Sequence, residues 1–404
     1  MARRRVAVTG LGVISALGHD AASFWNALCA GRPAIGRIES VDVSGLRFQN
    51  GAEVRDYDPA QHFEPAQAEL LDRFAQFALI AARQAVRDAS IVFTPELRQR
   101  TAIVTGTSVG GQSTQDTQFF AVYRNNSPRV HPLTIPRIMP NAGASHISME
   151  FGISGPAYTV STACASSNHA LGQAFWMVRD GAAELAIAGG SETPFSFGFL
   201  KAWEAMRVVA PDTCRPFSRD RRGLILGEGG AMLVLEPLER AHARGAPVYA
   251  EIAGFGMSAD AGHITTPSTD GPARAMLAAL RDADIGAERV GYINAHGTGT
   301  PSNDSTETRA IRQVFGAHAG KLAVSSSKSM HGHALGAAGA LEAVATVLAL
   351  RQAVLPPTAN FTTPDPECDL DVVPNQSRPA EVEYALSNAF AFGGLNAVLA
   401  FRRA

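Results

Sequence analysis

Short apolar runs rich in Val, Ile and Ala alternate with helical patterns along this chain, and they do so in two successive sets. The first set includes the runs RVAVTGLG and LAIAGGSE, and the second begins near residue 250 with YAEIAGFGMSA. Uninterrupted apolar runs bounded by turns are typical of strands that helices cover on both faces. The alternation therefore predicts an α/β protein with two halves, residues 1–250 and 251–404. Among the predicted helices are residues 66–89, 165–179 and 335–352.

Composition excludes several classes of protein. Of the 404 residues, 46% are apolar and 18% are charged, which is typical of a large buried core and not of disorder. The formal net charge is −2, so no basic field predicts a nucleic-acid partner. The sequence has no run of 18 or more apolar residues, so neither a transmembrane helix nor a membrane partner is predicted. The first residues, MARRRVAVTGLGVIS, are interpreted as a buried strand and not as a signal peptide.

Cys164 is one of only four cysteines, which are too widely spaced for a CxxC pair and so predict a reducing, cytoplasmic setting. It lies where a strand pattern, AYTVSTA, meets the helical run 165–179, and all its immediate neighbours are small. A thiol at a helix N-terminus is expected to have a lowered pKa, because the helix dipole stabilises the thiolate. Small neighbours leave room for an acyl group and for backbone N–H groups that stabilise an oxyanion. The alternative is a buried structural cysteine.

A second segment, NAHGTGTPSNDSTET, follows a predicted strand that contains the run VGYI. His296 opens this loop at a strand end, where an imidazole can act on a bound ligand. The hydroxyls of Thr298 and Thr300 are placed to bind an amide-rich ligand arm. The alternative for His296 is a turn residue bonded to the backbone.

A third segment, SSSKSMHGHALGAAGALEA, contains Lys328, His331 and His333 ahead of an apolar helix. The two histidines have no third ligand at metal spacing, so a zinc site is not predicted. We expect one of them to lie at the helix N-terminus as a neutral hydrogen-bond donor to a carbonyl. Glu342, inside the apolar helix, requires a polar or cationic partner, and Lys328 is the candidate.

A fourth segment, LSNAFAFGGLNAVLAF, alternates Phe390 and Phe392 with small residues before Gly393 and Gly394. Two interpretations remain open for it. It is either a β-hairpin with core aromatics or a mobile aromatic gate beside a hole of backbone amides.

One activated cysteine, two separated histidines and a lysine together indicate nucleophilic catalysis with polarisation of a carbonyl. A papain-like cysteine hydrolase is an alternative, because His296 follows Cys164 by 132 residues (296 − 164). The surrounding sequence CGSCW of that class is missing, however. The segment GLGVIS lacks the third glycine of a dinucleotide-binding fingerprint, so no nucleotide cofactor is predicted.

The segments TACASSNHAL, NAHGTGTPSND, KSMHGHALGAAGALE and SNAFAFGGLNAVLAF resemble, in this order, the signature segments of the elongating type II (KAS II-like) 3-oxoacyl-[acyl-carrier-protein] synthases. The resemblance covers essentially the whole chain. It implies the thiolase-like αβαβα five-layered fold with two related halves, and a dimer formed across the N-terminal half. It also implies decarboxylative Claisen condensation of an acyl thioester with malonyl-acyl carrier protein, which gives 3-oxoacyl-carrier protein and CO2.

The resemblance also implies a role for each matching residue. Cys164 takes the acyl group as a thioester, and His296 and His333 bind the malonyl thioester carbonyl and promote loss of CO2. Lys328 and Glu342 form a supporting ion pair. The resemblance further implies that the backbone N–H groups of Cys164 and Phe392 form the oxyanion hole, and that Phe390 and Phe392 form the gate. Thr298 and Thr300 are implied to bind the phosphopantetheine arm, and Val109 is implied to line the acyl pocket.

No cofactor is implied beyond the phosphopantetheine of acyl carrier protein. In some relatives a monovalent cation lies near the residues equivalent to Asn294, Glu342, Ser387 and Asn388, and this sequence has all four. Carrier proteins are acidic, so positive side chains are expected at the mouth of the site. The candidates are Arg207, with Arg124, Arg129, Arg219, Arg221 and Arg222.

Other segments, including LKAWEAMRVVAPDTCRPFS, are most similar to nodulation protein E-type synthases and to aromatic and polyene polyketide ketosynthases. The predicted pathway is therefore fatty-acid or polyene/polyketide biosynthesis. The alternative function is that of an accessory subunit that controls chain length. The expected dimer is either a homodimer or a heterodimer with such a subunit. Two residues depart from the usual pattern: Ala391 replaces a gate-loop glycine, which is expected to restrict the loop, and His331 stands where relatives often have Thr.

Overall fold

A computed structural model of the chain describes residues 3–404, and its centre is a ten-stranded mixed sheet. The strands of the first half are β1 Val6–Ser15, β2 Gly36–Arg37, β3 Asn50–Gly51, β4 Thr101–Gly106, β5 Ala157–Val160, β6 Leu185–Glu192 and β7 Gly229–Pro237. Those of the second half are β8 Ala250–Ala259, β9 Val290–Asn294, β10 Ala323–Ser325, β11 Val354–Leu355, β12 Arg378–Pro379, β13 Tyr384–Ala391 and β14 Leu395–Arg403.

Helices connect most of these strands. In the first half they are α1 Ala21–Cys29, α2 Pro65–Glu69, α3 Arg73–Asp88, α4 Pro95–Gln99, α5 Gln112–Tyr123, α6 Thr134–Ile138, α7 Ala142–Phe151, α8 Ser166–Arg179, α9 Phe197–Met206 and α10 Leu238–Ala243. In the second half they are α11 Asp270–Ala283, α12 Pro301–Phe315, α13 Lys328–His331 and α14 Ala338–Gln352.

The central sheet consists of two repeats of one topology. Its order is β5-β4-β6-β7-β1 in the first half and β10-β9-β13-β14-β8 in the second, counted from each outer edge. If the five central-sheet strands of each half are counted in chain order, the third strand is therefore at the edge and the first is at the junction. A short antiparallel pairing of Val6–Val8 with Ala250–Ile252 joins β1 to β8. The predicted pair of related halves is confirmed.

Helices form three layers around the two halves of the sheet. Helix α3 packs on β1, β6 and β7 and contacts α7, while α11 packs on β8 and β14 and contacts α12. Helices α8 and α14 pack against each other and against strands of both halves. The resulting order of layers is αβαβα, which confirms the predicted fold class.

The two central helices explain the apolar composition of their sequences. Every residue of α14 from Ala338 to Leu350 is buried, and Glu342 is the only charged side chain among them. A helix that is apolar on all sides is stable only inside a large core. The same central position buries the first turn of α8, which follows Cys164.

One predicted helix is divided in the structure. Residues 66–89 were predicted as continuous, but α2 ends at Glu69 and α3 begins at Arg73. The side chain of Asp72 accepts a hydrogen bond from the N–H of Phe74 and so starts a new helix. Among residues 3–404, no helix is both long and apolar enough to cross a membrane.

Candidate active site

The turn before α8 presents Cys164 to the interior. Ala163 has φ +49°, a left-handed conformation that residues with a side chain rarely adopt. The hydroxyl of Ser166 holds this turn, because it donates to the carbonyl of Ala163 at 2.6 Å and accepts from the N–H of Thr162 at 2.9 Å. Cys164 is 7% exposed and lies just ahead of the first helical residue. The predicted strand–turn–helix arrangement is confirmed.

A cavity of about 520 Å³ brings most of the predicted site residues together. These residues come from both halves of the sheet. The first and last of them, Cys164 and Phe392, are more than 200 residues apart in sequence. The predicted residues that line the cavity are Cys164, His296, Thr298, Thr300, His333, Phe390 and Phe392. Sequence reasoning therefore identified the principal lining residues.

Hydrogen bonds fix the tautomer of His333. Its Nδ1 accepts the N–H of Leu335 at 3.2 Å, so the ring proton is on Nε2 and is available to a ligand in the cavity. Leu335 adopts φ +46° to make this contact. The backbone of His333 is also held on both sides, by the carbonyl of Ile225 at 2.6 Å and the N–H of Gly227 at 2.9 Å.

His296 is held by a carboxylate that sequence reasoning missed. Glu307, in α12, accepts the N–H groups of His296 at 2.9 Å and Gly297 at 2.8 Å. The side-chain amide of Asn388 donates to the same carboxylate at 3.1 Å. Glu307 lies within the quoted segment NAHGTGTPSNDSTET, and its only sequence signal was an acidic side chain on a helix face that turns out to be buried.

The two histidine rings lie side by side as neutral groups. Their centroids are 5.4 Å apart, at an angle of 82°. Burial lowers the pKa of both imidazoles well below the usual value, and the charge of Lys328 lowers each pKa further. Both rings are therefore uncharged near neutral pH and can donate a hydrogen bond to a carbonyl without carrying a formal charge.

The pKa of Cys164 differs from the sequence expectation. Burial raises the pKa of this thiol to about 12, while the charge of Lys328 lowers it and those of Glu192 and Glu342 raise it. The expected lowering by the helix N-terminus was therefore wrong for the resting site, where desolvation has the larger effect. The raised pKa favours the neutral thiol form of Cys164 in the resting site.

Lys328 supports the site from behind and does not line the cavity. It is fully buried, and its ammonium group forms an ion pair with Glu342. Burial raises the pKa of Glu342 to about 7, although the charge of Lys328 acts in the opposite direction. The predicted partnership of these two residues is present.

The four residues that the resemblance places near a cation are among the buried residues whose polar atoms lack a hydrogen-bond partner within residues 3–404. Asn294 and Ser387 face each other across the parallel pair β9/β13. The unpartnered atoms are both amide atoms of Asn294, Oε2 of Glu342, Oγ of Ser387 and Oδ1 of Asn388. No cluster of three His, Cys, Asp or Glu side chains that could hold a metal occurs within residues 3–404. Neutral oxygens with one carboxylate fit a monovalent cation better than a transition metal.

The Phe390–Gly394 segment is both a hairpin and part of the cavity wall. Strand β13 ends at Ala391, and Gly393 and Gly394 make the turn at φ +82° and +70°. The ring of Phe390 lies 5.9 Å from that of His296, and the ring of Phe392 lies 6.2 Å from that of Trp203, between centroids. Ala391 pairs with Leu395 and has no positive φ, so alanine is not strained in this conformation.

Other predicted residues lie outside the cavity wall. Val109 follows β4, and its N–H donates to Glu192 at 3.3 Å. His331 is buried, and its Nε2 lies 2.9 Å from the hydroxyl of Ser327. Burial lowers the pKa of His331 to about 3, so this ring is a neutral part of the packing behind Lys328.

The arginine candidates divide into two groups. Arg207 is exposed between Met206 and Val208, which both line the cavity, so it lies at the mouth. Arg221 is buried and forms an ion pair with Asp365, which makes the prediction of Arg221 as a docking residue wrong. Arg219 and Arg222 are exposed, as are Arg124 and Arg129, and none of the four lines the cavity.

Two family profiles match this chain. The beta-ketoacyl synthase N-terminal domain profile matches residues 3–241, and the beta-ketoacyl synthase C-terminal domain profile matches residues 249–362. The chain belongs to the beta-ketoacyl synthase family. It is therefore an acyltransferase, and the papain-like hydrolase alternative is wrong.

Two curated relatives agree with this membership over their full length. Nodulation protein E of Rhizobium sp. (strain N33) is 49% identical over 400 residues, which is 99% of each chain. The 3-oxoacyl-[acyl-carrier-protein] synthase 2 of Synechocystis sp. is 43% identical over 409 residues, 99% of this chain and 98% of the relative. The predicted resemblance to elongating synthases of the nodulation protein E type is confirmed, and the chain is an elongating beta-ketoacyl synthase of fatty-acid or polyketide biosynthesis.

Two solved structures share the fold of this beta-ketoacyl synthase. The ishigamide ketosynthase/chain length factor superposes with a TM-score of 0.95 at 38% identity, covering 100% of both chains. A type II polyketide synthase acyl-carrier protein in complex with its ketosynthase bound to the hexaketide gives a TM-score of 0.90 at 32% identity, also with 100% coverage of both.

Proposed function

We propose that this beta-ketoacyl synthase condenses an acyl group on Cys164 with malonyl-acyl carrier protein, through the combined action of His296 and His333. The observation that carries the proposal is the placement of a buried thiol and two neutral imidazoles in one cavity, with the proton of His333 on Nε2. A nucleophile and two hydrogen-bond donors are what a thioester exchange followed by a decarboxylation requires.

The first half-reaction loads the enzyme. The Sγ of Cys164 attacks the thioester carbonyl of the acyl carrier, and the backbone N–H groups of Cys164 and Phe392 stabilise the oxyanion. The carbon–sulfur bond to phosphopantetheine then breaks, and the departing thiolate takes up the proton that the Cys164 thiol has lost. Because the resting thiol has a pKa of about 12, this proton transfer has to accompany the attack.

The second half-reaction forms the carbon–carbon bond. His296 and His333 donate hydrogen bonds to the malonyl thioester carbonyl, and the carboxylate leaves as CO2 while its bonding electrons form an enolate. The enolate carbon attacks the carbonyl of acyl-Cys164. The thiolate of Cys164 leaves, takes a proton from solvent and restores the resting enzyme, while 3-oxoacyl-carrier protein departs.

Supporting residues complete the proposed site. The hydroxyls of Thr298 and Thr300 lie 2.9 Å apart on the cavity wall, where they can bind the amides of the phosphopantetheine arm. No other cofactor is proposed. The unpartnered atoms of Asn294, Glu342 and Ser387, on the face of the sheet that packs against α14, would hold a monovalent cation, whose charge would stabilise Glu342. The side chain of Asn388 lies on the opposite face, where it donates to Glu307.

We propose acyl carrier protein as the partner at the cavity mouth. The structure adds Arg274 and Arg309 to Arg207. The guanidinium of Arg274 donates to the carbonyl of Ala259, next to the lining residue Asp260, and that of Arg309 donates to the hydroxyl of Thr306, which lines the cavity. All three are exposed and make no ion pair within residues 3–404, so they are free to meet an acidic partner. The ketosynthase complex with acyl-carrier protein among the solved neighbours supports this choice.

We also propose a homodimer through strand β5. This strand is at the edge of the sheet, and its backbone can pair with a second copy. Exposed apolar side chains lie on β5 and on helices α5 to α7, namely Tyr158, Phe120, Tyr123, Ile135 and Met149. A light-scattering mass of twice the 42.5 kDa chain would support the homodimer. A mass of one chain that doubles only with a separate chain-length-factor subunit would favour a heterodimer, as the name of one solved neighbour suggests.

The accessory, non-catalytic alternative is less favoured, because the cavity retains a thiol and both imidazoles. A cytoplasmic setting is proposed from the carrier-bound substrates and from the four cysteines, all of which are free.

Intact-mass measurement tests the proposal directly. The protein is mixed with a panel of acyl-carrier thioesters and then with malonyl-carrier protein. We expect an added acyl mass on the wild type and a 3-oxoacyl product, with neither in Cys164→Ala. The matched control is Cys368→Ala, which removes a buried thiol outside the cavity and should behave as wild type. A wild type that stays unmodified with every donor would overturn the catalytic role in favour of the accessory one.

A further inference from the structure

Glu192 is a buried carboxylate that the proposed mechanism does not use. It ends strand β6, has no exposed surface and makes no ion pair within residues 3–404. Burial raises its pKa, and hydrogen bonds from its neighbours act in the opposite direction. A buried carboxylate without a cation is unfavourable unless several donors satisfy it, so these donors identify what the residue does.

The donors to Glu192 come from two separate segments. From the loop after β4, the N–H of Ser108 donates to Oε2 at 2.6 Å, and the hydroxyl of Thr107 donates to Oε1 at 2.7 Å. The N–H of Val109 completes this side at 3.3 Å. From the segment after His333, the N–H of Gly336 donates to the same Oε2 at 3.0 Å. One oxygen atom therefore joins the loop of Val109 to the segment of His333.

Gly336 fits closely at this junction. A Cβ added to it would lie 2.4 Å from the backbone N of Ser108 and 2.6 Å from Oε2 of Glu192, so no side chain is tolerated. Its carbonyl accepts a hydrogen bond from the hydroxyl of Ser167, which belongs to the first turn of α8, three residues after Cys164. The nucleophile helix, the histidine segment and the Val109 loop thus meet at one glycine and one carboxylate.

We propose that Glu192 is a positioning residue that clamps the loop Thr107–Val109 against the segment His333–Gly336. Leu335 of that segment packs in the same buried apolar cluster as Cys164, so the clamp sets the space open to the acyl chain on Cys164. The inference rests on the proposed function, because it assigns Glu192 to the acyl side of the same site. It differs from a purely structural role, since release of the clamp changes which chain lengths reach Cys164 and not only the stability of the fold.

Three variants separate the clamp from general stabilisation. Glu192→Ala removes all four acceptor contacts. Glu192→Gln keeps an oxygen for Ser108 and Gly336, and its amide N–H₂ can donate to the hydroxyl of Thr107. Only the long contact from the N–H of Val109, at 3.3 Å, is lost. The matched control is Glu236→Gln, which changes another buried carboxylate, bonded to Thr9, Arg240 and Arg244 and remote from the cavity lining.

The readout is the ratio of Cys164 alkylation by N-dodecyl iodoacetamide to alkylation by iodoacetamide, measured by peptide mass spectrometry. Because it is a ratio at one pH, a changed thiol pKa cancels. We expect Glu192→Ala to raise the ratio about tenfold by loosening the segment of Leu335 beside Cys164, and Glu192→Gln and Glu236→Gln to stay within about twofold of wild type. A ratio for folded Glu192→Ala within about twofold of wild type overturns the proposal, as does an equal change in Glu236→Gln.

A second variant keeps the test decisive if Glu192→Ala does not fold. Thr107→Val removes one donor and should raise the same ratio by about threefold; an unchanged ratio overturns the proposal. The alkylation needs no carrier protein, so a result that contradicts the role of Glu192 is distinct from failure of the proposed function. That failure would appear as a wild type that accepts no acyl group from any carrier thioester.

Discussion

The two halves of the molecule share one strand order but supply different chemistry to the same cavity. In the first half, the ends of the second and third main strands, β4 and β5, lead to the Val109 loop and to Cys164. In the second half, the equivalent strands, β9 and β10, lead to His296 and to the segment of Lys328 and His333. Equivalent places in one topology thus carry the proposed nucleophile on one side and the proposed hydrogen-bond donors on the other.

The two halves also differ in how they satisfy a buried carboxylate. Glu192 of the first half is bonded by backbone N–H groups and one hydroxyl, whereas Glu342 of the second half is paired with Lys328. The charge of Lys328 lowers the pKa of the His296 and His333 imidazoles and of the Cys164 thiol. The fold therefore provides equivalent positions in both halves, and individual side chains decide which half supplies hydrogen-bond donors and which supplies the thiol.

The largest effect should come from removing the nucleophile of the first half. Cys164→Ala is expected to abolish condensation but to leave decarboxylation of malonyl-carrier protein, because His296 and His333 are untouched. Release of CO2 from labelled malonyl-carrier protein measures the difference. Loss of both activities in a folded variant would mean that decarboxylation depends on Cys164 as well as on the two histidines.

The next effect should come from the donor of the second half. His333→Ala is expected to slow decarboxylation by about 10²–10³-fold, the usual result of removing one hydrogen-bond donor to a developing oxyanion. Acylation of Cys164 should continue, as read by intact mass. His333→Gln, which retains an N–H donor, is the control and should be the less damaged of the two variants. Equal loss of acylation and decarboxylation would contradict the assignment.

A smaller effect on the fold should follow from opening the ion pair behind the site. Lys328→Met leaves Glu342 buried and unpaired, so the free energy of unfolding should fall by about 3–5 kcal/mol. The double variant Lys328→Met with Glu342→Leu should recover most of this loss, because it removes the uncompensated charge. Urea denaturation followed by fluorescence measures both. A double variant no more stable than the single one would argue against charge burial as the cause.

The smallest effect is expected at the gate. Ala391 lies in β13 without a positive φ, so Ala391→Gly should lower the free energy of unfolding by about 0.5–1 kcal/mol. The rate of acyl loading should change by less than about twofold. A faster loading rate in Ala391→Gly would instead support the sequence-based expectation that alanine restricts the swing of this loop.

Much of this arrangement could be predicted from the sequence, because the relevant signals were local. The turn before Cys164, the strand ahead of His296 and the apolar helix around Glu342 each have a recognisable pattern within about twenty residues. The position of Glu342 inside an apolar helix also predicted Lys328 as its partner, since an uncompensated charge in an apolar helix is unfavourable.

The remaining features depend on contacts between distant segments. Nothing local distinguishes Arg221, which pairs with Asp365, from the exposed Arg222 beside it. The roles of Glu192 and Glu307 likewise require loops that only the folded sheet brings to their carboxylates. The pKa of Cys164 was mispredicted for a similar reason, because a helix N-terminus is visible in a sequence whereas the depth of burial is not.

The shared cavity has a kinetic consequence. The thiol of Cys164 and both catalytic imidazoles face the same space of about 520 Å³, so the first carrier's arm has to withdraw before the second can enter. Initial rates should therefore follow a double-displacement pattern, with parallel reciprocal plots for the two carriers. At high concentration, malonyl-carrier protein should compete for the unacylated enzyme and inhibit turnover, so the ratio of the two donors, and not only their amounts, would set the flux.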